Sequence, residues 1–221
     1  MINSSLYPHQ NKSVLHGGAK IQHADAAVIM VHGRGATAQS IMMLAEDLPQ
    51  RGVAYFAPQA AKNTWYPKTF LAPLDQNSPG ITSGLKAIED LIKKIEKKGI
   101  PKKKIVLLGF SQGACLVTEF AARNAGLYGG IIGLSGGVIG PNDTPRNYEG
   151  SMQGTPVFLG CSDVDYHIPL ERVNLTAEIF ERLGAKVTKR IYESLGHTVN
   201  QDEMQFIREL LEVVSGAKIE E

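Results

Sequence analysis

Short unbroken apolar runs alternate along the chain with longer stretches in which apolar residues return every three or four positions. Ala26–Val31 (AAVIMV), Val53–Ala57, Ile105–Leu108, Gly130–Leu134 and Val157–Gly160 are runs of the first kind. A short apolar run closed by glycine or polar residues predicts a strand buried on both faces. Helices are predicted at Ile41–Leu48, at Gln112–Asn124, from Pro169 to just before Gly184, and at Met204–Val214. One more carries Ile81, Leu85, Ile88, Ile92 and Ile95 on a single face and is stopped by Gly99. Lys186–Tyr192 reads as a last strand, and its Lys186, Lys189 and Arg190 suit a charged sheet edge. Near the start, Ser13–His16, Gly17-Gly18 and Ala19–His23 read as a hairpin closed by two glycines. The count is about eight strands, the first two antiparallel, and the later strand-then-helix repeats predict a mostly parallel α/β sheet with helices on both faces. Two irregular stretches, Asn63–Gly80 and Gly136–Gly154, are long enough to suggest function.

Composition narrows the class. The chain has 221 residues, 43% hydrophobic and 20% charged, which fits one globular domain spanning 1–221 and not a disordered chain. Lys plus Arg number 23 and Asp plus Glu 22, so a net charge of +1 gives no overall attraction to nucleic acid or acidic membranes. Two cysteines, Cys115 and Cys161, exclude a disulfide-built fold and a four-cysteine zinc site, though one bridge between them fits the count. Met1–Gln10 lacks the basic start and apolar run of a signal peptide, and no stretch reaches the ~18 apolar residues of a membrane helix. The expected setting is cytoplasmic, with no stable membrane anchor.

The strongest local signal is Gly109-Phe110-Ser111-Gln112-Gly113, which follows the strand Ile105–Leu108 and opens a helix. A serine on such a turn is lifted above the sheet, and the small residues two before and two after let strand and helix approach. The helix N-terminus then favours negative charge developing beside the hydroxyl. A nucleophilic serine needs a base, and the base an orienting carboxylate. Two histidines lie downstream, His167 and His197. His197, in Gly196-His197-Thr198 after the last strand, lies at the carboxyl end of the sheet with Ser111 and is the better base. Asp163 and Asp165 both follow the strand ending near Gly160, and local sequence does not choose between them. For the oxyanion, one donor is expected from the N–H of Gln112. The other is expected from the loop His32-Gly33-Arg34-Gly35.

Taken together, HGRG at 32–35, Trp65 in an aromatic loop, GFSQG at 109–113, DYHIP at 165–169 and GHT at 196–198 resemble the phospholipase/carboxylesterase family of α/β-hydrolases, which includes acyl-protein thioesterases and small carboxylesterases. The likeness runs from about Ala26 to Val214. It implies an α/β-hydrolase fold with no large cap domain and a serine carboxylesterase acting on small to medium acyl esters. A thioesterase or lysophospholipase with the same triad is the alternative, and a non-catalytic binding module the more distant one. It assigns the carboxylate to Asp165, because Ile168 and Pro169 complete the family's pattern, and the oxyanion donors to the N–H groups of Arg34 and Gln112. It implies no cofactor and no metal, a small-molecule ester as partner, no nucleic acid, and allows a homodimer. Arg34 departs from the leucine found there in close thioesterase relatives; its cation is expected to enter or border the site, either attracting a polar or anionic substrate or pairing with an acid.

Other signals are weaker. Trp65, Phe70 and Leu71, with Tyr66, are candidates to line an acyl pocket. Lys93, Lys94, Lys97, Lys98, Lys102, Lys103 and Lys104 read as a solvated basic face. The alternation of Cys161, Asp163, Asp165 and His167 only superficially resembles a metal site. His32 is expected to shape the oxyanion loop, whereas His9, His16 and His23 carry no functional signal.

Overall fold

The computed structural model describes residues 6–216; residues 1–5, where the Met1–Gln10 stretch begins, and 217–221 lie outside the described residues. The strands are β1 (Val14–Gly18), β2 (Ala26–Val31), β3 (Val53–Pro58), β4 (Ile105–Phe110), β5 (Gly130–Leu134), β6 (Pro156–Ser162) and β7 (Lys186–Tyr192). They form one sheet in the order β1-β3-β2-β4-β5-β6-β7, parallel except for β1 against β3. The helices are α1 (Ala38–Met42), α2 (Gly80–Glu96), α3 (Gln112–Arg123), α4 (Leu170–Arg182) and α5 (Gln201–Ser215).

The alternation along each central strand divides the core in two. Ala27, Ile29, Val31, Ile105 and Leu107 face the layer of α2, α3 and α4. Val28, Met30, Val106 and Leu108 face the layer of α1 and α5, against Ile207 and Leu211. All of these are fully buried, and each one larger than alanine contributes roughly 1.5–3 kcal/mol relative to exposure. Two covered faces are the reason these strands read as unbroken apolar runs. α3 lies deepest, with Gln112 through Ala122 all buried. β7 lies at the sheet edge, as its charges suggested. Among the described residues no helix is long and apolar enough to cross a membrane.

There are seven strands among the described residues, not eight, because the N-terminal hairpin does not form. β1 pairs instead with β3, from Val14 opposite Pro58 to Gly18 opposite Ala54, and Ile21–His23 makes one short 3-10 turn. Gly18 is not a hairpin turn residue but a point of close approach. It has φ +65°, and a Cβ there would sit 2.4 Å from the Val53 carbonyl oxygen. The fully buried β3 is a better partner than a short strand next in sequence, which alone would be marginal. The helix expected at Ile41–Leu48 is also shorter. α1 opens on a Thr37–Ser40 capping box, ends at Met42, and continues as a 3-10 turn over Met43–Asp47.

Candidate active site

Four loops meet at the carboxyl edge of the sheet: 32–35 after β2, Ser111 after β4, 163–168 after β6 and 193–200 after β7. In open α/β sheets this is where ligands bind. Ser111 sits between β4 and α3 with φ 55° and ψ −120°, a strained conformation for a residue with a side chain. Its N–H donates to the Leu134 carbonyl at 2.9 Å, which holds the turn against β5. Gly109 and Gly113 have no room for a side chain. A Cβ on Gly109 would lie 2.3 Å from the Gly113 oxygen, and one on Gly113 would lie 2.0 Å from the Val31 oxygen.

Ser111 faces His197, with Oγ 2.9 Å from Nε2. His197 Nδ1 lies 2.7 Å from Asp165 Oδ2. A carboxylate accepts only, so this pairing puts the imidazole proton on Nδ1 and leaves the Nε2 lone pair for the serine hydroxyl. The Asp165 side chain is fully buried, and its Oδ1 accepts the N–H groups of His167 at 2.8 Å and Ile168 at 3.1 Å. Burial pushes this carboxyl up, but the hydrogen bonds from His197 and the His167 N–H outweigh it and hold it below the usual carboxylate range. Asp163 does a different job: its Oδ1 accepts the Ser194 N–H at 2.8 Å. Ser162 Oγ accepts the Gly196 N–H at 3.0 Å. These two bonds brace the loop that carries His197. The His167 ring lies edge-on to His197, centroids 4.8 Å apart.

The first loop is set by His32. The Ala60 N–H donates to its Nε2 at 3.1 Å, so Nδ1 carries the proton and donates to the Gly33 carbonyl at 2.8 Å. Burial keeps this imidazole's pKa below its ordinary value, against the effect of the Gly33 bond. A trans peptide points its C=O and N–H in opposite directions, so anchoring the Gly33 carbonyl turns the Arg34 N–H away from His32. Gly33 packs against Ser111, a Cβ built there being 3.3 Å from the serine Cβ. Among the described residues neither the Arg34 nor the Gln112 N–H donates to another backbone group. The Arg34 side chain donates to the Pro67 carbonyl at 2.8 Å and to the Lys68 carbonyl.

Over Ser111 lies a cleft of about 450 Å³. Tyr66, Phe70, Phe110 and Ile168 supply apolar wall, and Arg34 and Lys68 also line it. Of the four side chains expected in the pocket, Tyr66 and Phe70 are there, but Trp65 and Leu71 are not. Trp65 is fully buried, donating through Nε1 to the His32 carbonyl at 2.9 Å. Leu71 is half-buried and packs on the core. The wall is fixed by residues whose part the sequence concealed. Gln112 accepts the Trp65 N–H at 2.8 Å and donates to the Tyr66 carbonyl at 2.8 Å. The fully buried Asn77 accepts the Lys68 N–H and donates to the Thr69 carbonyl, both at 2.8 Å. The buried His9, given no part by the sequence, has its Nε2 2.8 Å from the Trp65 carbonyl. With its backbone groups paired in this way, the aromatic loop is a preorganised wall.

Parts of the basic cluster are accounted for locally. Lys93 pairs with Glu89, Lys104 Nζ donates to the Val214 carbonyl, and Lys102 lies 4.1 Å from the Tyr128 ring centre. Both cysteines are free and buried, and burial pushes each thiol up to about 12. Among the described residues no group of three or more His, Cys, Asp or Glu is placed to hold a metal ion.

A seven-stranded, mostly parallel sheet with helices on both faces, no large cap, and a serine on a strained strand-to-helix turn define an α/β-hydrolase. The phospholipase/carboxylesterase family matches residues 16–215, and the chain belongs to that family of hydrolases. It is 29% identical over 213 residues to acyl-protein thioesterase 1 of Saccharomyces cerevisiae, covering 86% of this chain and 93% of that one. With acyl-protein thioesterase 1 of Yarrowia lipolytica it is 30% identical over 213 residues, covering 88% and 93%. The crystal structure of a phospholipase/carboxylesterase from Dyadobacter fermentans superposes with a TM-score of 0.87 at 41% identity, covering 91% of this chain and 96% of that one. The Bacillus cereus carboxylesterase, at 15% identity, TM-score 0.70 and coverage of 97% and 100%, shares the fold.

Proposed function

We propose that the chain is a serine carboxylesterase for small to medium acyl esters, with Ser111 as nucleophile, His197 as base and Asp165 as the carboxylate that orients it. The observation that carries this reading is the hydrogen-bond chain Ser111 Oγ, His197 Nε2 and Nδ1, Asp165 Oδ2, spanning 2.9 and 2.7 Å at the floor of an open cleft. Ser111 Oγ attacks the acyl carbonyl carbon as His197 Nε2 takes its proton. The oxyanion is held by the N–H groups of Arg34 and Gln112, each worth roughly 2.7–4 kcal/mol in the transition state. His197 then hands the proton to the departing alkoxide, leaving an acyl-enzyme. Water, deprotonated by His197, attacks the acyl carbon, and the acid leaves as Ser111 regains its proton. Asp165 holds the imidazole in the correct tautomer and stabilises its charged form throughout. The reaction needs no metal or organic cofactor.

A second reading, an acyl thioesterase with the same triad, is favoured by the names of the two fungal relatives. Matched oxygen and sulfur esters over a chain-length series separate the two. The carboxylesterase reading expects oxygen esters of short acyl chains to have the higher kcat/KM; a uniform advantage of long-chain thioesters contradicts it. In either case Ser111→Ala is expected to abolish turnover.

A further inference from the structure

Among the described residues, none that lines the cleft is an Asp or Glu. Its permanent charges are Arg34 and Lys68, together on the wall formed by the oxyanion loop and the aromatic loop. Asp165 lies buried behind His197 and is engaged there. Among the described residues neither Arg34 nor Lys68 takes part in an ion pair. The whole chain carries only +1, so the charge in the cleft does not follow from an overall basic character.

The arrangement is also built. The Arg34 guanidinium donates to the Pro67 and Lys68 carbonyls and lies 5.9 Å from the centre of the Tyr66 ring. Carbonyls fix its position without cancelling its charge, and a guanidinium keeps further donors free after two bonds. The backbone carrying Lys68 is pinned by the buried Asn77. An anion reaching this wall therefore meets the Arg34 cation already in place, with the Lys68 side chain beside it on a fixed backbone. A neutral substrate leaves both facing water, at no gain.

Resting on the esterase reading above, we propose that Arg34 and Lys68 form an anion-selecting rim: the substrate is an ester that carries a carboxylate or similar anion a few bonds from the scissile carbonyl. The anion belongs either to the acyl chain or to the alcohol, and the test distinguishes the two.

The test compares kcat/KM within two matched pairs. The para-nitrophenyl monoester of adipic acid against para-nitrophenyl heptanoate places the anion on the acyl side. The acetyl ester of para-hydroxybenzoate against that of its methyl ester places it on the leaving side. In at least one pair the anionic member is expected to be favoured by about five-fold or more at low salt, as charge-assisted contacts at a half-solvated site allow. The preference shrinks as ionic strength rises from ~0.01 to ~1 M and the Debye length falls from ~30 to ~3 Å. Lys68→Gln lowers the anionic-to-neutral ratio of kcat/KM. Arg34→Leu lowers the anionic-to-neutral ratio further, and the ratio cancels any shift of the clamp that affects both esters alike. Neutral esters turned over by Ser111 as fast as anionic ones overturn the rim and leave the esterase reading intact. No hydrolysis of any ester by folded protein overturns both.

Discussion

Gly113→Ala is the smallest change that separates the parts of the site. The new Cβ would lie 2.0 Å from the Val31 oxygen, 2.6 Å from the Val31 carbonyl carbon and 2.7 Å from the His32 oxygen. All three are backbone atoms at the end of β2, so no side chain can swing aside. Opening the closest contact even to 3.0 Å requires about 1 Å of movement between β2 and the start of α3. That movement separates the 32–35 loop from Ser111 and the Gln112 N–H, the two sides that hold the oxyanion in the proposed mechanism. A misplacement of about 1 Å costs on the order of 100-fold, or about 2.7 kcal/mol of barrier. Forcing a methyl group into a packed contact costs about 1–3 kcal/mol of stability, which lowers Tm by roughly 2–12 °C for a chain of this size. The assay is kcat and KM on a neutral para-nitrophenyl ester with a thermal melt alongside. The loss is expected mainly in kcat, because the donors act on the transition state. A variant with wild-type kcat/KM and an unchanged melt refutes the argument that this contact sets the geometry of the site.

Asp165→Asn is expected to fold and to lose about 10⁴-fold in kcat, since an amide no longer dictates the His197 tautomer; a loss under ten-fold in steady-state assays contradicts its assigned role. Gln112→Ala keeps the backbone donor but strands the buried Trp65 N–H and Tyr66 carbonyl, costing roughly 1–3 kcal/mol for each. Trp65 is the sole tryptophan, so urea unfolding followed by its fluorescence reads both the lower midpoint and the altered wall. Glu203 is buried with Oε1 unpartnered among the described residues, and burial lifts its carboxyl from 4.5 to about 7. The unfolded chain releases this proton first, so stability falls as pH rises from 4.5 to about 7 and levels off above. Glu203→Gln should flatten that part of the profile and gain about 1–3 kcal/mol at alkaline pH, measured by denaturant unfolding across pH.

The elements read best from sequence were those whose signal is local. GFSQG declares its turn because the two small residues and the flanking strand and helix are contiguous in the chain. The buried strands declared themselves through apolar runs that need no knowledge of their neighbours. Failures came where a distant partner decides. Gly17-Gly18 looks like a hairpin turn until β3, some forty residues on, is seen to claim the strand and to need Gly18 for close approach. Trp65 looks like a pocket residue until the His32 carbonyl and His9 are seen to bury it. The loop after β6 held two aspartates that only the family resemblance separated. In the structure they diverge, Asp165 to His197 and Asp163 to the Ser194 N–H. The part played by the Gln112 side chain had no local signal, because the groups it holds are 46 and 47 positions away.

The central claim is that His197 and Asp165 activate Ser111. Labelling with a fluorophosphonate probe, read by intact mass and peptide mapping, tests it most directly. A single adduct on Ser111, absent in Ser111→Ala and much slower to form in His197→Ala, is the predicted result. Folded protein that takes up no probe, or takes it up equally well in Ser111→Ala, contradicts the account.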